Sequence, residues 1–158
     1  MILHRTARAA ATAMLGLVAL FAAGRQTQAE QRSFTIAAIE SKGGASVEKE
    51  PFPNEPVPHG AGYALHQPDQ NGRWEIEVYL FMPSQIIVSQ DDDVTLDFVG
   101  VNGRNHPTTI AGYDKSFVLE RGHVTRISFK ADKAGVFAIQ CGTHAPSMRA
   151  ELVVLPRK

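Results

Sequence analysis

The chain contains one cysteine, Cys141, in 158 residues. A single cysteine cannot form an internal disulfide, which excludes the disulfide-stapled scaffolds common among small secreted proteins. An excess of charge of one sign is also lacking, because the formal net charge is zero and the lysines and arginines are scattered among acidic residues. We therefore expect no nucleic-acid partner.

The sequence also lacks a hydrophobic run long enough to span a membrane. Its apolar stretch, from about Ala9 to Ala23, is shorter than the roughly 20 residues that a spanning helix needs. Because this stretch follows Arg5 and Arg8 and leads into small residues, it has the layout of a secretory signal peptide, with an uncleaved anchor as the alternative. We predict a cleaved signal peptide at residues 1–29, a periplasmic location, and a mature protein that is soluble and does not span the membrane.

The lone thiol needs an explanation in an exported protein. An exposed free thiol is a liability in an oxidising compartment. Cys141 is therefore expected to be buried, bonded to another chain, or occupied by a metal.

Strand-like runs separated by turn residues dominate the mature sequence, and no stretch has the pattern of a long amphipathic helix. Val94, Leu96 and Phe98 illustrate the alternation, since they share one face of a run whose other face is partly polar. Nine such runs predict strands at Phe34–Ile39, Trp74–Phe81, Ile86–Ser89, Val94–Val101, Thr108–Ile110, Phe117–Glu120, Val124–Lys130, Val136–Cys141 and Ala150–Leu155. Many short strands with turn signals between them predict an all-β fold, a Greek-key β-sandwich or a barrel.

One long segment departs from this pattern. Residues 41–73 are rich in proline and glycine and are predicted to be mostly loop, because proline cannot donate to a sheet ladder. We favour a surface loop that covers a sheet edge, with a flap near the functional site or a partner-docking surface as the alternative. The two histidines of this segment, His59 and His66, are not expected to form a second metal site.

Potential metal ligands cluster late in the chain. Cys141 ends the strand-like run "GVFAIQC", and His144 and Met148 follow in a short loop stiffened by Pro146. A loop this short places a thiolate, an imidazole and a thioether around one point. His106, at a turn after an earlier strand, is the best candidate for a second nitrogen ligand, so the sequence predicts a four-ligand metal site.

The types of these four ligands indicate copper. Two histidines and one cysteine with a weak axial methionine form the blue-copper electron-transfer arrangement, because thiolate and thioether favour Cu(I) and imidazole suits both oxidation states. Zinc is the alternative metal, although zinc sites more often use several cysteines, or carboxylates and histidines without methionine. The Cys-x2-His-x3-Met spacing alone is weak, and a buried cysteine with a core methionine and an incidental histidine remains the structural alternative.

The stretch "GVFAIQCGTHAPSMRAELVVLP" resembles the C-terminal signature of the cupredoxins, in which a strand ends at the cysteine and the histidine and methionine follow in one loop. The stretch "PSQIIVSQDDDVTLDFVGVNGRNHPTTIAGY" is similar to the earlier half of that family. The resemblance implies a Greek-key β-sandwich and one mononuclear copper ion. It implies that His106, Cys141, His144 and Met148 bind the copper, and that Asn105 supports them by hydrogen bonds between the two ligand loops.

The resemblance covers about Trp74 to Pro156. We therefore divide the chain into the signal peptide, an N-terminal strand and Pro/Gly-rich loop at residues 30–73, and a cupredoxin-like core at residues 74–158, with 30–158 as a single domain. The sequence also resembles the copper domains of nitrous oxide reductase and cytochrome oxidase subunit II. Their binuclear centre needs two bridging cysteines, and the single Cys141 excludes it.

These observations lead us to expect a copper protein that is not an enzyme and that carries single electrons between redox partners, such as cytochrome c or a copper or haem enzyme. The resemblance implies that His144 lies nearest the surface as the electron port, with Ala145 and Pro146 in the docking patch. Two alternatives stay open: a carrier or storage protein that binds Cu(I) for delivery, and a module of a larger enzyme with vestigial copper.

Overall fold

The computed structural model of the protein describes residues 28–55 and 61–157. The predicted signal peptide therefore lies almost wholly outside the described residues, as does His59. Ten strands make up the regular structure of the described part: β1 (Gln31–Ser46), β2 (Tyr63–His66), β3 (Arg73–Met82), β4 (Gln85–Ser89), β5 (Asp93–Gly100), β6 (Asn105–Ile110), β7 (Lys115–Glu120), β8 (Val124–Lys130), β9 (Gly135–Cys141) and β10 (Arg149–Leu155). This part of the chain contains no helix long and apolar enough to cross a membrane.

The strands form two five-stranded sheets. One sheet has the order β2-β3-β1-β5-β8 and the other has the order β4-β10-β9-β6-β7. Most neighbours are antiparallel, but β1 runs parallel to β5 and β4 runs parallel to β10. The prediction of an all-β sandwich is confirmed, and each of the nine predicted runs overlaps an observed strand.

Alternation along the strands builds the core between the sheets. Val94, Leu96 and Phe98 of β5 are buried, as are Ile36 and Ala38 of β1 beside them. Each large apolar side chain removed from water in this way contributes roughly 1.5–3 kcal/mol. Seventeen buried residues from both sheets form one hydrophobic cluster, so the two sheets share a single core.

The first strand is longer than the sequence indicated. β1 follows β5 only as far as the pair Ala38 and Gly100, yet it continues beside β3 to the pair Ser46 and Arg73. On the other side of β3, β2 pairs with the same stretch. We call this extension, residues 39–46, 63–66 and 73–78, the arm.

The arm takes up part of the segment predicted to be loop. Gly44 permits its close backbone packing, since a Cβ atom there would lie 2.4 Å from the carbonyl oxygen of Trp74. The proposed division at residues 30–73 and 74–158, with 30–158 as one domain, stays a prediction.

A buried carboxylate joins the two ends of the described chain. Asp92 is 1% exposed and accepts hydrogen bonds from the backbone N–H groups of Glu30 and Ser89. The guanidinium of Arg157 also donates to it. One side chain therefore holds the start of β1 and the segment after β10 against the same turn.

Candidate metal centre

Three side chains converge at one end of the sandwich. The Nδ1 atoms of His106 and His144 are 3.2 Å apart, and the Sγ atom of Cys141 lies 3.9 Å from the first and 3.6 Å from the second. A triangle with sides of 3.2, 3.6 and 3.9 Å has its centre about 2.1 Å from each corner. Metal–nitrogen and metal–thiolate bonds of about 2.0–2.1 and 2.3 Å match this distance, so one ion fits at the centre.

Strand pairing brings His106 and Cys141 together. β6 pairs with β9 through Thr108 and Cys141, and the N–H of Gly142 donates to the carbonyl of Pro107 at 2.8 Å. The hydroxyl of Thr108 donates to the carbonyl of His106 at 3.0 Å. These bonds fix the backbone on both sides of the pair, and the two side chains are fully buried.

The loop after Cys141 closes tightly and returns His144 to the same point. The N–H of Cys141 donates to the carbonyl of Met148 at 3.1 Å, and the N–H of Met148 donates to the carbonyl of His144 at 2.9 Å. The hydroxyl of Ser147 also donates to the carbonyl of His144, at 3.2 Å. His144 is thus placed by bonds within its own loop.

The tautomer of His106 is set by a backbone partner. Its Nε2 atom lies 2.8 Å from the carbonyl oxygen of Asn102, which can only accept, so Nε2 carries the hydrogen. The lone pair of Nδ1 therefore faces Cys141 and His144. A backbone acceptor on the outer ring nitrogen is the usual orientation device for a metal-binding histidine.

His144 is kept in the state that a metal ligand requires. Burial lowers the pKa of His144, and the neighbouring His106 lowers it further, although Glu40 opposes the shift. The neutral imidazole is therefore favoured at ordinary pH. The ring of Tyr79 stacks on that of His144 with 3.9 Å between centroids and 11° between planes.

These donors suit one copper ion. Among the described residues, His106, Cys141 and His144 are the group of histidine, cysteine and acidic side chains that could hold a metal. Two imidazoles and a thiolate select copper or zinc, and a thioether beside them favours copper. The Nδ1 atoms of His106 and His144, 3.2 Å apart, are close enough for one proton or one cation to lie between them.

Met148 lies in the same loop and is fully buried. Its backbone bonds to Cys141 and His144 keep it next to both residues. Its role as the axial ligand stays a prediction.

The hydrogen bonds that support the site come from Asn102 and not from the side chain of Asn105, which was expected to join the two ligand loops. The side chain of Asn105 is exposed and makes no hydrogen bond within residues 28–55 and 61–157. Asn102 instead connects the site to β1, because its Oδ1 accepts the N–H of Glu40 at 3.0 Å while its carbonyl accepts His106. The sequence offered one signal for this turn, the Asn-Gly pair four residues before His106.

Part of the Pro/Gly-rich segment reaches the site. The carbonyl of Ala61 accepts the N–H of Ser147 at 3.2 Å, and the carbonyl of Gly62 accepts the N–H of Tyr79 at 3.0 Å. Residues 61 and 62 therefore contact the neighbourhood of the site, as expected for the flap that we held as the alternative to a surface loop over a sheet edge. His66 lies away from the three metal-binding candidates, in β2, with its Nε2 atom 3.8 Å from a carboxylate oxygen of Glu77.

Comparison with known proteins yields likeness in structure but not in sequence. A scan against protein-family models gives no match, and no curated protein matches the sequence. The copper nitrite reductase of Nitrosomonas europaea superposes with a TM-score of 0.53 at 14% identity, over 82% of this chain and 42% of that one. A multicopper oxidase, mgLAC, gives a TM-score of 0.52 at 18% identity, over 82% and 40%.

The copper-containing nitrite reductase of Thermus scotoductus SA-01 gives a TM-score of 0.53 at 19% identity, over 82% of this chain and 28% of that one. The chain thus spans less than half the length of each of these three proteins. At such identities the likeness concerns the fold. It confirms, at that level, the resemblance to the cupredoxins: the chain has a cupredoxin-like β-sandwich.

Proposed function

We propose that the protein binds one copper ion through His106, Cys141 and His144, with Met148 as a weak axial ligand, and carries single electrons between protein partners. The convergence of two Nδ1 atoms and one Sγ atom on a common point carries this proposal. Copper, when bound, supplies the one-electron couple. The protein supplies a rigid set of donors that suits both oxidation states.

Rigidity is the property that the surrounding residues provide. The backbone at His106 and Cys141 is held by strand pairing, and the loop from Cys141 to Met148 is closed by its own hydrogen bonds. Because these bonds do not depend on the metal, the donor atoms keep their positions when the charge at the site changes. A small rearrangement on electron transfer is the result that a carrier requires.

The alternative of Cu(I) carriage for delivery is less well supported. A carrier that hands over its ion must expose the ligands to the receiving protein. Here His106 and Cys141 are fully buried, and only His144 is partly exposed. Burial of this kind supports a resident ion.

The proposed setting is the periplasm, with cytochrome c or a copper or haem enzyme as partner and no substrate chemistry at the site. The fold is shared with domains of larger copper enzymes, so a role as a module of such an enzyme is the competing proposal. Copurification and size measurement of the native protein distinguish the two: a free small protein supports the carrier, and a constitutive large complex supports the module.

The decisive experiment is the absorption and electron paramagnetic resonance spectrum of the copper-loaded protein. We expect an intense visible charge-transfer band from the Cys141 thiolate and the signal of a mononuclear Cu(II) ion. Cys141→Ser should abolish the band. A colourless wild-type protein that retains only Cu(I) would contradict electron carriage, and colour that survives in the serine variant would contradict the ligand assignment.

A further inference from the structure

Tyr79 connects the metal centre to the arm. It lies on β3, two residues before the buried Phe81, so its side chain shares the inward face of the sheet at the point where the core ends and the arm begins. Its ring covers one face of the His144 ring at 3.9 Å. Two backbone bonds hold it there: its N–H donates to Gly62 and its carbonyl accepts the hydroxyl of Ser147.

The stacked rings border a surface pocket with a volume of about 160 Å³. Tyr79 and His144 line it, with Tyr63, Ala64, Glu77 and Thr143 around them. The pocket therefore lies between the arm and the ligand loop.

We propose that an electron enters and leaves the copper site through the ring of Tyr79. This inference rests on the proposed electron-carrier function. The electron crosses by tunnelling: no bond forms or breaks, no proton moves, and Tyr79 itself is neither oxidised nor reduced. The metal site changes by one electron and the partner changes by the opposite one.

Two routes from the arm to His144 can be told apart. The first crosses the face-to-face contact of the two rings. The second follows the backbone, from Ala61 through its hydrogen bond to Ser147 and so to the ligand loop. Replacement of the Tyr79 side chain interrupts the first route and leaves the second intact, because the bonds of Tyr79 to Gly62 and Ser147 use only its backbone.

His66 offers a natural attachment point for a test. It is exposed on β2, four residues along from Gly62, which is about 13 Å at the rise of a strand. A ruthenium complex bound to His66 can be photochemically oxidised to Ru(III), and the rate at which reduced, copper-loaded protein returns it to Ru(II) is then recorded. Every histidine except His66, His106 and His144 is first replaced by glutamine, so the label has one site.

The variants Tyr79→Phe and Tyr79→Leu are compared in this labelled protein. The phenylalanine variant keeps the stacked ring and should transfer at the wild-type rate, whereas the leucine variant should be measurably slower, since it removes the ring-to-ring contact. A label on His123, in a second protein that retains His123 and carries His66→Gln instead, is the matched control. His123 lies beside Arg104 and Asn105, on the His106 side of the site, and Tyr79→Leu should leave its rate unchanged.

The metal-free protein provides a second readout. In its NMR spectrum the Tyr79 ring should shift the ring protons of His144 upfield. This upfield shift should be retained in Tyr79→Phe and lost in Tyr79→Leu. Equal His66 rates in all three proteins would assign the route to the backbone and overturn the proposal, as would the absence of the upfield shift in wild type. Failure of the carrier function itself would appear separately, as a wild-type protein without the visible band.

Discussion

At the scale of single residues, the metal centre depends on contacts that leave no room for additional atoms. Gly103 has a φ of 72°, and a Cβ atom there would lie 2.6 Å from Cε1 and 2.7 Å from Nε2 of His106. The turn that supplies the Asn102 carbonyl to His106 therefore requires glycine. Any side chain at this position pushes the His106 ring towards the metal position or out of its hydrogen bond.

Gly103→Ala should weaken copper binding by about tenfold or more, the usual cost of disturbing a ligand's hydrogen-bonded partner. Titration of the metal-free protein with Cu(II) against a competing chelator measures this. Gly122→Ala is the matched control, because Gly122 also has a positive φ, 82°, but nothing within 4 Å of the added Cβ. The control should lose about 1–2 kcal/mol of stability from backbone strain and bind copper normally; equal affinity in both variants would remove the steric explanation.

Met148→Leu is predicted to shift the reduction potential and to leave copper bound. Leucine fills a similar volume in the buried site but offers no sulfur, so only the weak axial interaction is lost. Voltammetry of the loaded protein measures the potential, and metal analysis measures retention. Loss of all copper would show that Met148 is a principal ligand.

Whether a residue of the site could be predicted from the sequence depends on how far along the chain its contacts lie. Cys141 and His144 are close in sequence, so their convergence could be predicted from loop length. Tyr79 and Asn102 could not be found in this way. Tyr79, on β3, contacts a residue 65 positions away in the loop between β9 and β10. Asn102 acts through a backbone carbonyl, which every residue possesses.

At the scale of secondary structure, the predicted strands are those in which alternation gives one buried face. β2 escaped prediction because it is four residues long and lies among prolines and glycines. The second half of β1 escaped because Gly43 and Gly44 have low strand propensity. Pairing with β3 stabilises both elements, and such tertiary pairing cannot be read from a local pattern.

The contact between residues 61–62 and the ligand loop can be tested at Gly62. Its φ is 78°, and an added Cβ would lie 2.0 Å from the Ser147 hydroxyl oxygen and 2.6 Å from the carbonyl oxygen of His144. Gly62→Ala should therefore displace this segment and expose His144. Carbethoxylation of His144 in the metal-free protein, followed by mass spectrometry, should be several-fold faster than in the Gly122→Ala control; unchanged reactivity would mean that the segment does not shield the ring.

At the scale of the whole molecule, acid should destabilise the fold through Asp92. Burial alone would raise the pKa of Asp92, but the N–H groups of Glu30 and Ser89 and the guanidinium of Arg157 together hold that pKa below its usual value. Stability from the ionised carboxylate is present above the pKa of an unfolded aspartate, about 3.9, and is lost as the pH falls through the lower folded value.

Urea denaturation between pH 2 and 7 measures this dependence. Asp92→Asn should be less stable than wild type at neutral pH, and the difference should shrink as the pH falls below about 4. Asp93→Asn, at an exposed neighbour, is the control and should follow wild type. A constant difference between Asp92→Asn and wild type at every pH would show that the carboxylate charge is irrelevant.

The same carboxylate has a topological consequence. Because Asp92 contacts both residue 30 and residue 157, these two positions lie on either side of one side chain. A short linker could join them, and new termini could be opened in the turn at residues 69–72, far from the three metal-binding candidates. When loaded with copper, such a circular permutant should keep the visible band of the unpermuted protein. The geometry of the centre depends on which strands are neighbours and not on where the chain starts.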